Sequence, residues 1–309
     1  MGKRFGRTNA GDMLFKYLTL VFAIVVFSMA FVMAYEMYRG SSLTITKFGL
    51  SFITGETWDP VAEEFGALPF IFGTVVSSLI ALVIALPISL GVAVFLSEMA
   101  PAWIERPISF LVELLAGIPS IVYGLWGIFV LVPWLRTDLE PFLGKSLGFL
   151  PWFRGAPYGF GMLAAGLILT IMILPIVTSI SRDVLQSIPR SYREAALAIG
   201  ATKWEAAKII LSSGKSGILG AALLGLGRAV GETMAVTMVI GNNADINASL
   251  FAPGYSMASV LANEFAEAVG DMHVSALIEI ALLLFLVTVI LNGLARLVVW
   301  SVTRRFAAS

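Results

Sequence analysis

Arg228 and Glu232 lie mid-way along an apolar stretch that runs from about Gly217 to Gly241. Ionised groups at bilayer depth cost on the order of 2.5–3.5 kcal/mol each on insertion scales, so they need a partner or a wet cavity. Four residues apart on a helix, the two share a face and can pair, and Gly227 and Gly231 beside them permit close helix approach. A guanidinium also presents a planar fork of donors that matches two oxygens of an oxyanion, which a neutral pore could not desolvate. Passage of such an anion is one reading, with Glu232 holding Arg228 at rest; an ion pair between packed helices is the other. Glu113 is a third pathway candidate, because Pro119 beyond it predicts a kinked or broken helix lining a cavity. Glu279 reads as snorkelling to the outer interface, and His273 as a surface residue.

The elements that must position these groups are membrane spans. Hydrophobic residues are 58% of the 309-residue chain and charged residues 13%, about half the charged share of a soluble domain. The 20 basic and 20 acidic residues cancel, so nothing recommends nucleic acid as a partner. With no cysteine and one histidine, thiolate and multi-histidine metal sites within the chain are excluded. A span needs about 20 apolar residues, and six stretches qualify: Tyr17 to Met37, the interval from Glu64 to Glu98 (interrupted by Pro87), Ile108 to Leu135, the interval from Arg154 to Arg182, Gly217 to Gly241, and Val274 to Val299. The first is too long for a signal peptide. The expected fold is all-α and polytopic: a cytoplasmic segment 1–16, a six-helix domain 17–301, and a cytoplasmic tail 302–309.

Charge sets the orientation. With the amino terminus inside, fourteen basic residues face the cytoplasm and five (Arg39, Lys47, Arg136, Lys145, Arg154) face out, a positive-inside bias that places both termini in the cytoplasm. Outer loops fall near residues 38–67, 136–156 and 242–272. The last carries Met257, Val260, Leu261 and Phe265 on one helical face, which predicts a short interfacial helix. Eleven acidic residues on this side would repel a free anion, so delivery by a docked soluble protein is expected.

Residues 183–213 form the longest cytoplasmic loop. Ser191-Tyr192-Arg193-Glu194 and Thr202-Lys203-Trp204-Glu205 each have capping-box spacing, and Gly200 suits a left-handed helix stop. Two short helices joined by a glycine turn follow. Exposed Tyr192, Leu197, Ile199 and Trp204 favour a docking surface over a plain connecting hairpin. Glu194-Ala195-Ala196, then Gly200, resembles the EAA loop of ABC-importer permeases, with Ser212 standing where that pattern has proline. Phe65-Gly66-Ala67-Leu68-Pro69, Glu113 to Ser120 with Val122-Tyr123-Gly124, and Gly227 to Ala235 are together similar to the PstC-type phosphate-importer permeases.

That resemblance implies a MetI-like permease fold in a prokaryotic plasma (inner) membrane. It also implies phosphate passed from an external binding protein by alternating access. The implied partners are a homologous PstA-type permease, two copies of a PstB-type ATPase docked on Tyr192, Glu194, Ala195, Ala196, Gly200 and Trp204, a PstS-type phosphate-binding protein, and membrane lipid. The chain has no nucleotide site of its own: Gly144-Lys145-Ser146 and Gly214-Lys215-Ser216 lack the first glycine of a phosphate-binding loop, where Leu139 and Ile209 stand. ATP and Mg are therefore expected to be used by the partner ATPase, and the chain itself is expected to be neither an enzyme nor a cofactor binder. Competing readings are a permease for sulfate or molybdate and an ion-gradient-driven transporter. An intramembrane hydrolase would need paired aspartates or a serine–histidine pair at bilayer depth.

Overall fold

Five helices of the computed structural model, which describes residues 10–307, are long and apolar enough to cross a membrane. In chain order the elements are α1 (Ala10–Gly40), α2 (Leu68–Met99), an amphipathic α3 (Ala102–Ala116), α4 (Ser120–Leu147) and α5 (Met162–Ser187). The hairpin α6 (Arg190–Ala198) and α7 (Lys203–Ser213) comes next, then α8 (Lys215–Gly231), α9 (Met234–Val239), α10 (Met257–Glu264) and α11 (Asp271–Ala307). α7 and α8 meet at 67°, and this bent pair makes a sixth candidate crossing when it is counted as one span. Residues 1–9 of the amino-terminal segment, and 308–309 of the tail, lie outside the described residues.

α2 and α5 make the most extensive helix contact, and α8 and α9 pack on α5. Alanines set the spacing: Ala81 and Ala85 of α2 and Ala164 and Ala165 of α5 are fully buried beside Ile168 and Ile173. In lipid no hydrophobic force drives helices together, so close backbone approach through small residues must do so. On the side away from the hairpin, strands β1 (Trp58–Asp59) and β2 (Glu64–Phe65) pair antiparallel and cover a second cluster of Phe52, Phe65, Phe70, Tyr255, Met257 and Leu277.

Gly73 of α2 is the tightest point there, since a Cβ would overlap the carbonyl of Tyr255 just before α10. A backbone oxygen cannot swing aside as a side chain can. Gly73→Ala is therefore expected to destabilise the chain by about 1–3 kcal/mol, seen as a lowered melting temperature of the detergent-solubilised protein, whereas Gly91→Ala, which meets open space, should leave it unchanged.

Several expectations need correction. Pro87 does not interrupt the second span: α2 runs through it to a π-helical turn at Phe95–Met99. The third span begins at Ser120 and its helix continues to Leu147, so most of the expected 136–156 loop is helical. The α10 segment is not interfacial, because Met257 and Val260 are fully buried between α2 and α11 and only Phe265 is exposed. Its first amide, Met257 N, donates to Thr74 Oγ1 at 2.9 Å. Glu279 does not snorkel; it is 6% exposed, one turn along α11 from buried Ser275. His273 is not a surface residue either: it stacks on Phe65 and meets Glu264 Oε2 at 3.2 Å, which also accepts from Trp58 Nε1 at 2.9 Å.

Candidate substrate pathway and coupling hairpin

α8 ends at Gly231, and Glu232 adopts extended backbone angles (φ −72°, ψ 128°). That overturns the expected pairing across one helical face. Instead, Glu232 Oε1 accepts from Ala235 N at 3.3 Å and caps the start of α9. Arg228 sits in the last turn of α8, where a cation suits the negative end of the helix dipole. Its side chain is exposed, and among the described residues no carboxylate lies within salt-bridge distance of it. Of the 20 basic residues it is the one assigned to neither membrane face.

The wall facing this break is α4. A Cβ on Gly124 would strike Met238 Sδ and come within 3.2 Å of Ala235 Cα, and one on Gly127 would strike Val239 Cγ1. These glycines let α9 lie directly against α4. Tyr123, within electrostatic reach of Arg228, donates its hydroxyl to Leu115 O at 2.8 Å and so bridges the interruption between α3 and α4 at Gly117-Ile118-Pro119. The break near Pro119 is thus present. Glu113, however, is engaged elsewhere: its Oε1 lies 3.0 Å from Arg182 Nη2, which also donates to Asp183 Oδ1 at 2.8 Å. Arg182 is largely buried while Glu113 is over half exposed. The structure does not bring Glu113 to Arg228.

On the hairpin, Gly200 takes φ +86°, the left-handed stop its position predicts. The Thr202–Glu205 box is complete: Thr202 Oγ1 accepts from Glu205 N at 3.3 Å, and Glu205 Oε2 accepts from Thr202 N at 2.8 Å. The Ser191–Glu194 box does not form. α6 starts two residues earlier, behind Pro189, whose fixed φ leads directly into the helix, so Ser191 lies inside the first turn. Tyr192, Leu197, Ile199 and Trp204 are 50%, 51%, 84% and 53% exposed, a set of large, mostly apolar groups left at least half open to solvent by the described residues. Glu194, Ala195 and Gly200 are exposed with them, while Ala196 is buried against the rest of the hairpin.

The backbone amide and then the hydroxyl of Thr202 hold the Glu205 carboxyl below its ordinary range. A depressed folded-state pKa stabilises α7 above the unfolded value, and that contribution is lost as pH falls through the depressed one. Amide exchange at the start of α7 should therefore lose protection on acidification in the wild type and show a flat response in Glu205→Gln.

Local spacing did not disclose Arg193 and Glu98. Arg193 Nε and Nη2 donate to Glu98 Oε2 and Oε1 at 2.8 and 2.6 Å, a bidentate pair with side chains 22% and 8% exposed. The same guanidinium donates to the carbonyls of Leu185 and Ile188 at 3.1 Å. Hydrogen bonding to Glu98 raises the guanidinium pKa above its ordinary value. This clamp seats α6 on the ends of α2 and α5.

Residues 85–304 match the family model for the binding-protein-dependent transport system inner membrane component. The chain is 44% identical to the phosphate transport system permease protein PstC of Mesorhizobium japonicum, over 99% of this chain and 94% of that one. The PstC of Haemophilus influenzae is 46% identical, with 93% of each chain covered. The chain belongs to the PstC family. The probable PstC of Methanocaldococcus jannaschii is 36% identical over 90% of each chain. An inward-facing MetNI methionine ABC transporter shares the fold, with a TM-score of 0.56 at 19% identity over 75% of this chain and 94% of that one. As a PstC-family permease, the chain is a multi-pass inner-membrane transport component and not an enzyme.

Proposed function

We propose that the chain passes inorganic phosphate through the membrane as one half of a heterodimeric permease in an ATP-driven importer. The observation that carries this reading is Arg228: an exposed guanidinium in the last turn of α8 that, among the described residues, has no carboxylate within salt-bridge distance. Phosphate is a multiply charged oxyanion whose desolvation a fixed fork of donors can offset, and the PstC relatives are named for phosphate transport. A second cation from a homologous PstA-type subunit would complete the compensation across the shared interface.

The hairpin faces the cytoplasm in this reading, as do both termini, which the distribution of basic residues supports. Tyr192, Glu194, Ala195, Ala196, Gly200 and Trp204 seat on one of two PstB-type ATPases, which bind ATP and Mg. ATP binding draws the two hairpins together and turns the helices outward to receive phosphate from a PstS-type protein; hydrolysis returns them inward. Glu232, as a cap, sets the start of α9 rather than restraining Arg228. Uptake of labelled phosphate by the assembled importer should be suppressed by unlabelled phosphate and left unchanged by sulfate or molybdate. Equal suppression by either of those anions assigns the permease to a different oxyanion, and uptake without any ATPase assigns it to gradient-driven transport.

A further inference from the structure

A groove of about 510 Å³ runs between α8 and α11, and it belongs neither to the break at Glu232 nor to the hairpin surface. Its wall on α8 is Gly220, Leu223 and Leu224, and its wall on α11 includes Asn292, Arg296 and Trp300. A Cβ on Gly220 would meet nothing within 4 Å, so the missing side chain leaves real space.

The depth of the groove decides what can fill it. Arg296 stands roughly 37 Å along α11 from Asp271 at 1.5 Å per residue, beyond a hydrocarbon core of about 30 Å. It therefore lies at headgroup level on the hairpin side, where Lys215 also opens α8. Arg296 is exposed and, among the described residues, meets no carboxylate within salt-bridge distance. Trp300, one turn further out, has the amphipathic ring that favours this layer. The α8 wall is apolar throughout, and the cationic group is confined to the rim. Apolar slot below and guanidinium above is the order of parts in one phospholipid molecule.

We infer that this groove binds an anionic phospholipid, with its phosphate on Arg296 and an acyl chain lying over Gly220 between α8 and α11. The inference rests on the membrane placement of α8 and α11 and is independent of which solute the permease carries. Charge complementarity selects an anionic over a zwitterionic headgroup, since a cationic rim at the membrane surface attracts anionic lipid.

The complete importer, purified in detergent and equilibrated with phosphatidylglycerol or phosphatidylcholine of matched chains, is to be measured by native mass spectrometry. The wild type should retain phosphatidylglycerol preferentially, and Arg296→Gln should lower that retention roughly tenfold, the loss of one charge-assisted contact. Gly220→Phe should expel the lipid by filling the slot. Arg296→Gln, a substitution at an exposed position, keeps the test open should Gly220→Phe not assemble. Equal retention of the two lipids, or unchanged retention in Arg296→Gln, overturns the inference. So does disulfide cross-linking of the Gly220→Cys variant to the second permease, which would show that protein covers the groove.

Discussion

Arg228→Gln is expected to abolish phosphate uptake while leaving the importer assembled. Glutamine keeps most of the length and a hydrogen-bond donor but removes the charge and the planar fork. Two charge-assisted hydrogen bonds to an oxyanion contribute together roughly 3–6 kcal/mol, so the rate of passage should fall by about 100-fold or more. Assembly should survive, because Arg228 makes no ion pair among the described residues and its side chain is exposed in the chain. Arg228→Lys should retain a small part of the activity, as a point charge without bidentate geometry. Uptake at the wild-type rate in Arg228→Gln would remove this residue from the pathway. Glu232→Gln should be mild by comparison, since a glutamine carbonyl can still accept from Ala235 N.

Glu98→Ala is expected to disable the hairpin from within. Removing one partner of a mostly buried pair leaves the other charge uncompensated and costs about 3–5 kcal/mol. Here the stranded group is Arg193, which also holds the carbonyls that end α5. Amide exchange across 190–213 should accelerate while that of α2 and α5 stays slow. ATP turnover by the assembled importer should lose at least about tenfold of its stimulation by phosphate-loaded binding protein. The exchanged pair, Glu98→Arg with Arg193→Glu, should recover part of it. Unaltered stimulation in Glu98→Ala would show that the clamp carries no coupling.

The sequence disclosed those parts of the molecule whose cause is local. The apolar stretches gave five crossings outright, and a sixth where the bent pair of α7 and α8 counts as one span, because bilayer thickness alone fixes their length. Gly200 and the Thr202–Glu205 box gave the turn and start of α7 because each is settled within four residues. The misreadings arose where distant partners decide. Glu232 and Arg228 have helical spacing, but the helix stops between them as α9 turns onto Gly124 and Gly127 of α4. Pro87 looked like a break, yet α2 continues through it along a long contact with α5. His273 and Glu279 sit near a span end, where snorkelling is the usual expectation, and only the β1–β2 cover and the neighbouring helices bury them. Arg193 and Glu98 are 95 positions apart, beyond any spacing rule.

The gap at Gly117-Ile118-Pro119 changes how the third crossing should be regarded. The links from Arg182 to Glu113 and from Gln186 to Glu105 fasten α3 to α5, and Arg193 fastens the hairpin to α5 and α2. α3 is therefore tied by charged links to the same helix that seats the hairpin, whereas α4 meets α5 through apolar packing, with Tyr123, Leu131 and Leu135 buried in one cluster with Ile168 and Ile173. In the proposed importer a push on the elbow would reach α3 through ion pairs and the wall beside Arg228 through close packing, two linkages of different stiffness.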